Sequence, residues 1–281
     1  MADANALQRE QWNGDSGSRW VADADRRDAV LSPVADALLT AACIEPGESV
    51  LDVGCGCGAT SIAAARRAGA DGTVHGIDLS EPMLAVARRR ADDAGLTAVR
   101  FTAADAQTHP LGGSGHDAAI SRFGTMFFDD PVAAFTNIRL GVRRGGRIVI
   151  ATWQPLDRND WLTVPGAALL RYGTLPDKPP DGPGMFAQAD PDHVRSTLTL
   201  AGWAGVDSRG VTATLRLGAL PADATDYLAH SGVGRAVLDT VAAADRPLAL
   251  ADVMDALAPH TTDDGVHLDA AIWITTGTCP P

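Results

Sequence analysis

A glycine-rich turn directly after a short apolar run constrains this chain more than any other feature. The apolar run ends at Val53, and Gly54, Gly56 and Gly58 follow it in the segment VLDVGCGCGATS. Glycine permits positive φ angles and lets the backbone approach a ligand closely. An alanine-rich helix is predicted next and ends at Gly69. Strand, glycine turn and helix in this order predict an α/β sheet that binds its ligand at the carboxyl ends of the strands.

The alternation of strand and helix continues to Trp153. Short apolar runs with helices between them are typical of parallel strands that are covered on both faces. Right-handed crossovers then give a doubly wound sheet. Two more strands are predicted near the end of the chain, which makes seven. The predicted strands are 50–54, 73–79, 99–105, 116–123, 147–153, 211–217 and 270–276.

Two segments interrupt this alternation. Residues 154–189 are rich in proline and glycine, but they hold Trp161 and Tyr172, so we predict an ordered insertion rather than a linker. A second, helical insertion covers about 220–260. Because the flanking strands share one sheet, we predict a single domain over 1–281. Its parts are a helical lid, a ligand-binding core, a substrate cap and a C-terminal part of strands and helix, at 1–45, 46–153, 154–189 and 190–281.

Composition excludes several classes of protein. The chain has 35 acidic and 23 basic residues, a net charge of −12, and this field disfavours nucleic acid and anionic membranes as partners. No apolar run approaches the roughly 20 residues of a membrane span, and the N-terminus lacks a signal-type apolar run. The four cysteines do not have the spacing of a structural zinc site, so no metal is expected. We expect a cytoplasmic protein.

Three carboxylates lie at the ends of predicted strands. Asp52 comes two residues before Gly54, where it would face an ammonium group of the ligand and would sit poorly beside a pyrophosphate. Asp78 ends the second strand, 20 residues after the last glycine of the turn, a placement that suits hydrogen bonds to ribose hydroxyls. Asp105 ends the third strand and can accept a hydrogen bond from an adenine amino group. Together they indicate a nucleoside ligand.

The identity of that ligand stays open at this point. Asp78 suits the ribose of NAD as well as that of an adenosine thioether. The spacing Gly54-x-Gly56-x-x-Ala59 also satisfies the loose dinucleotide fingerprint. An NTPase is excluded because the turn has no lysine-containing phosphate loop.

Five segments in order resemble those of class I S-adenosylmethionine (SAM) dependent methyltransferases: VLDVGCGCGATS, GIDLSEPMLAVAR, AADAQTHP, SRFGTMFF and GGRIVIATW. The match is closest to a branch similar to quinone-biosynthesis and natural-product methyltransferases. It covers about 46–155 with high specificity, and 190–217 and 266–277 more loosely. The resemblance implies SAM as cofactor. It also implies a Rossmann-like, mostly parallel sheet with the last strand antiparallel and with helical cap elaborations.

The resemblance also implies roles for individual residues. The turn glycines approach the methionine moiety of SAM, and Asp52 orients that end of the site. Asp78 binds the ribose hydroxyls, and Asp105 meets the adenine amino group. Trp20 in an N-terminal helix closes the pocket, with Trp12 as the alternative. The cofactor-binding residues implied are Trp20, Asp52, Gly54, Gly56, Gly58, Asp78, Leu79, Met83, Asp105, Ala106 and Ser121.

The activity implied is O- or C-methylation of a small, mostly apolar metabolite, in secondary metabolism. The segments expected to cover the substrate are rich in Leu, Ala, Val and Pro and carry few basic residues, which favours such a substrate. The candidates for a general base are His109, His230 and Tyr172, and the acceptor atom stays open. The alternatives are a non-catalytic SAM-binding or scaffold protein and an NAD-dependent oxidoreductase. The sequence leaves homo-oligomer formation open.

Overall fold

The computed structural model describes residues 5–111, 113, 115–175 and 182–281. Its strands form one sheet in the order β3-β2-β1-β4-β5-β8-β6, with β7 paired to β8. Strands β1 to β5 are parallel to one another, whereas β8 is antiparallel to both β5 and β6. The strands are β1 Ser49–Val53, β2 Thr73–Asp78, β3 Val99–Ala103, β4 His116–Arg122, β5 Val142–Trp153, β6 Ala204–Gly218, β7 Thr261–Thr262 and β8 Gly265–Thr278.

This topology confirms the predicted mostly parallel α/β fold with an antiparallel last strand. The described part of the sheet has eight strands rather than seven, because the two-residue β7 folds back on β8. β6 and β8 are also longer than predicted. Their pairing extends from Ala204 and Thr278 to Gly218 and Val266, well beyond the apolar segments that the sequence marks.

Helices cover both faces of the sheet, and a helical cap follows β5. Several helices begin at side chains that accept a backbone N–H, as Ser80 does from Met83 and Asp130 does from Ala133. The helices are α1 Ala6–Asn13, α2 Asp15–Ala22, α3 Ala24–Val30, α4 Ser32–Ala42, α5 Ala59–Ala68, α6 Glu81–Asp93, α7 Pro131–Gly141, α8 Asp160–Leu169, α9 Pro191–Leu200, α10 Pro221–His230, α11 Gly232–Leu238 and α12 Arg246–Leu257.

Alternate residues of the central strands point into two apolar layers. In β1, Val50 belongs to one layer and Leu51 to the other. In β5, Val149 packs in the first layer, whereas Ile148 and Ile150 pack in the second. Both faces are therefore buried, which explains why these strands read as continuous apolar runs.

The segments outside the core are largely helical. The lid region contains α1 to α4, and the second insertion contains α10, α11 and α12. Within the predicted cap at 154–189, the structure places α8, while 176–181 lie outside the described residues. In the described ranges, no helix has the length and apolar character needed to cross a membrane.

Replacing Phe135 with alanine tests the packing of the second apolar layer. Phe135 on α7 is fully buried, so we expect Phe135→Ala to lower the free energy of unfolding by about 3–5 kcal/mol. Urea denaturation measures this change. Leu140 on the same helix is 54% exposed, and Leu140→Ala is the matched control, with an expected change within about 0.5 kcal/mol. Equal losses in the two variants would contradict the assigned core.

Candidate active site

An open cavity lies at the carboxyl ends of the parallel strands. Its walls come from the turns after β1, β2, β3 and β4 and from the helices of the N-terminal lid. Eight of the residues that the sequence assigns to the cofactor line it: Trp20, Gly54, Gly56, Asp78, Leu79, Met83, Asp105 and Ala106. The structure thus brings residues from five separate segments to one cavity.

The glycine turn forms the floor of this cavity. Gly54 and Gly56 have φ angles of 68° and 54°, a region in which other residues are strained. A Cβ atom on Gly54 would lie 2.6 Å from the Cα of Gly124, so the turn has no room for a side chain there. Gly58 faces away from the cavity lining, and a Cβ on it would lie 2.8 Å from the Cβ of Ala87 on α6. Gly58 therefore serves helix packing.

Asp78 links the glycine turn to the end of β2. Its Oδ2 accepts the N–H of Gly56 and its Oδ1 accepts the N–H of Ser80, both at 2.8 Å. Burial raises the pKa of this carboxyl to about 6, although both N–H donors act in the opposite direction. An ionised carboxylate has about four acceptor positions, so about two remain for a pair of vicinal hydroxyls. This arrangement fits a ribose.

Asp105 is buried near the end of β3 and is hydrogen-bonded to the lid. The side-chain amide of Asn5 donates to both of its carboxylate oxygens at 3.0 Å, and the N–H of Gln107 donates to Oδ1 at 2.9 Å. Asn5 also accepts the N–H of Asp129 at 2.7 Å. Because Oδ2 accepts only the Asn5 amide among these donors, it retains a lone pair that can accept a hydrogen bond from an adenine amino group.

Asp52 and Ser121 lie beneath the cavity rather than on its surface. The Oδ2 of Asp52 accepts the hydroxyls of Thr60 and Ser61 at 2.6 Å each, and Thr60 lines the cavity. Its Oδ1 is buried and has no partner among the described residues. Burial raises the pKa of Asp52. Ser121 donates to the carbonyl of Val53 at 2.7 Å and so ties β4 to β1.

The Oδ1 of Asp52, which has no hydrogen-bond partner among the described residues, shows whether SAM suits this site. A buried acceptor without a donor costs free energy, so it favours a ligand that brings a donor to this end of the site. The ammonium group of the methionine moiety is such a donor. With the ribose positions at Asp78 and the lone pair at Asp105, the residues present fit SAM along its length.

Aromatic rings of the lid cover the cavity. Trp12 makes edge-to-face contacts with Trp20 and with Phe127, with ring centroids 5.9 and 5.3 Å apart. The carbonyl of Trp12 accepts the hydroxyl of Ser80 at 2.7 Å, and Asn13 donates to the carbonyl of Leu79 at 2.9 Å. Both Trp12 and Trp20 line the cavity, so the two alternatives raised by the sequence lie together.

A cluster of charges lines the side of the cavity next to the lid. Asp28 accepts hydrogen bonds from Arg122 at 2.7 Å and from Arg90 at 2.9 Å. The guanidinium carbon of Arg27 lies 4.1 Å from the centre of the Trp20 ring. Asp28, Arg122 and Arg27 all line the cavity.

Sequence reasoning missed Asn5, Arg27 and Asp28. Arg122 could have been found, because it is the last residue of β4 and therefore lies at the same edge of the sheet as the other site residues. The lid residues carry no motif, and their position becomes clear only when the lid is folded.

The structure places the three candidate bases outside the cavity lining. The backbone N–H of His109 donates to the carbonyl of Asp105, and its carbonyl accepts from the side-chain amide of Asn137. His230 is exposed on α10, with Nδ1 2.8 Å from the carbonyl of Asp226. Tyr172 donates to Asp252 at 2.8 Å. These side chains are not gathered with the cofactor-site residues.

Comparisons with known proteins agree with this site. A family model described as a methyltransferase domain matches residues 50–146. Aklanonic acid methyltransferase DauC of Streptomyces sp. is 31% identical over 53% of this chain and 60% of its own length. Nocamycin O-methyltransferase of Saccharothrix syringae is 35% identical over 52% of this chain and 51% of its own length. The chain thus spans between half and two thirds of these relatives.

A third relative is matched over more of its length. Demethylmenaquinone methyltransferase of Paenarthrobacter aurescens is 31% identical over 60% of this chain and 67% of its own length. A SAM-dependent methyltransferase from Aquifex aeolicus superposes with a TM-score of 0.53, at 16% identity, covering 93% of this chain and 98% of that one. The fold is thus shared with methyltransferases of low sequence identity. The chain belongs to the SAM-dependent methyltransferase family.

The raised pKa of Asp78 predicts a pH-dependent affinity for S-adenosylhomocysteine. We expect ribose hydroxyls to donate to the ionised carboxylate, and protonation with a pKa of about 6 removes that form as the pH falls. We expect the affinity to be about tenfold weaker at pH 5 than at pH 7, measured by calorimetry. Asp78→Asn is the control, because it should bind weakly at both pH values. A slope that persists in Asp78→Asn would assign the titration to another group.

Proposed function

We propose that this protein transfers the methyl group of SAM to a small, mostly apolar metabolite. The observation that carries this proposal is the convergence on one cavity of the glycine turn, the ribose-compatible Asp78 and the adenine-compatible Asp105. The relatives whose names specify small molecules, aklanonic acid methyltransferase and nocamycin O-methyltransferase, support the substrate class.

The residues of the chain would hold the cofactor at three points. Asp78 would accept the ribose hydroxyls, Asp105 the adenine amino group, and Asp52 would bind the ammonium end, directly or through Thr60. Leu79, Met83 and Ala106 supply apolar surface beside the adenosine. When bound, SAM supplies an electrophilic methyl group on its sulfonium.

The remaining contribution of the chain is alignment and exclusion of water. Trp12, Trp20 and Phe127 form an aromatic roof, and Phe123 stacks on Trp153 with ring centroids 4.1 Å apart. Holding two reactants in line in such an enclosure can lower a barrier by roughly 7–11 kcal/mol. The mostly apolar lining suits a mostly apolar acceptor.

The cavity lining does not offer an evident general base. Among the described residues that line it there is no histidine, lysine or tyrosine. Asp28, Asp78 and Asp105 are already hydrogen-bonded, and burial raises the pKa of Cys57 to about 11, so this thiol is protonated at neutral pH. This favours an acceptor that is activated or ionised by itself, an acidic oxygen or an activated carbon. We therefore propose that the protein carries out O- or C-methylation in secondary metabolism. We propose the cytoplasm as its location.

Asp78→Ala tests the cofactor assignment. We expect it to weaken binding of S-adenosylhomocysteine by roughly 10- to 150-fold, because hydrogen bonds to a charged acceptor contribute about 1.5–3 kcal/mol. Calorimetry measures the affinity. Asp71→Ala is the matched control, since Asp71 is exposed and precedes the opposite end of β2. Unchanged binding in Asp78→Ala, or binding of NAD in place of the homocysteine compound, would overturn the assignment.

Transfer itself is tested with methyl-labelled SAM and fractions of small aromatic and quinone metabolites. We expect label to enter an organic-soluble product in at least one fraction, and Asp78→Ala to form this product more slowly at a limiting SAM concentration. Tight cofactor binding with no labelled product in any fraction would support the non-catalytic, SAM-binding alternative.

A further inference from the structure

Arg27 is a buried cation that forms no ion pair with the described residues. It is 7% exposed and lines the cavity. Its Nε is fully buried and unpartnered, and among the described residues its guanidinium forms no ion pair and no hydrogen bond. Its one aromatic contact is with Trp20, at 4.1 Å from the guanidinium carbon to the ring centre.

The neighbouring charges are paired with each other instead. Asp28, the next residue, is shared between Arg90 and Arg122. Arg26, the preceding residue, pairs with Asp226 at 2.7 Å. Asp28 and Asp226 are therefore already paired with other arginines.

Burying a cation costs free energy unless an anion pairs with it and hydrogen bonds satisfy its donors. Arginine presents a planar fork of donors that suits a carboxylate in two-point contact. The cavity beside Arg27 is the space that a matching anion can reach, because Arg27 lines it.

We propose that Arg27 recognises a carboxylate on the acceptor substrate. This inference rests on the proposed methyltransferase function and narrows it to a mostly apolar molecule that bears one acidic group. It also accords with a cavity that lacks an evident base, since an ionised acceptor needs none.

Arg27 has neighbours in the lid and in the second helical insertion. It stacks on Trp20 of the lid, and its charge also acts on Tyr227 of α10, where it opposes the rise in pKa that burial produces. The lid and this insertion are both among the segments expected to cover the substrate. The atoms that fit the cofactor, on Asp52, Asp78 and Asp105, belong to the strand ends instead.

Calorimetry with two matched probes tests the assignment. In protein saturated with S-adenosylhomocysteine, we expect naphthalene-2-carboxylate to bind at least about tenfold more tightly than naphthalene-2-carboxamide. Arg27→Met keeps the apolar stem of the side chain and removes the charge, so it should abolish this preference. Arg27→Lys should retain part of it, and Arg26→Met, which removes a neighbouring paired arginine, should retain all of it.

Two further outcomes are decisive. Equal binding of acid and amide to the native protein, or binding of neither, overturns the inference. If Arg27→Met weakens S-adenosylhomocysteine but not 5′-methylthioadenosine, which lacks the amino-acid part, then the anion is the carboxylate of the cofactor and the inference is wrong. If the native protein does not bind S-adenosylhomocysteine at all, the proposed function fails, which is a separate result.

Discussion

The closest backbone contact in the site joins the turns that follow β1 and β4. A Cβ on Gly54 would lie 2.6 Å from the Cα of Gly124, and a Cβ on Gly124 would lie 2.8 Å from the Cα of Gly54. Because neither position has room for a side chain, the ends of the two strands meet as one floor. Ser121 fixes the same junction through its hydrogen bond to Val53. Both glycines line the cavity, so the space above them stays free of side chains from these two positions.

The floor and its carboxylates could be predicted from sequence because each depends on local pattern. A glycine turn after an apolar run sets where β1 ends, and a parallel sheet brings the end of β2 to the same edge. Asp78 follows from those two facts alone, and the structure places its oxygens on the N–H groups of Gly56 and Ser80. The same logic locates Asp105. It does not separate residues that line the cavity from those beneath it, and so Asp52, Gly58 and Ser121 are found at or below the floor.

The lid could not be predicted in the same way, because its contacts join distant parts of the chain. Asn5 reaches Asp105 across 100 positions, and Arg27 lies beside the cavity through the packing of α3 rather than through a motif. The lengths of β6 and β8 likewise depend on their mutual pairing, which extends through polar residues that carry no strand signal. His109, His230 and Tyr172 were chosen by residue type, and residue type alone does not determine whether a side chain reaches the site.

The distribution of charge in the cavity differs from that of the whole chain. Carboxylates gather at the strand ends, whereas Arg27 adds an unpaired positive charge under the lid. The net charge of −12 would repel an anionic acceptor at long range, but salt screens exposed charges beyond roughly 8–10 Å. Inside the cavity, where water is displaced, a contact with one buried guanidinium is stronger than the screened repulsion of the surface. Selection of an acidic acceptor would therefore depend on this contact and not on long-range attraction.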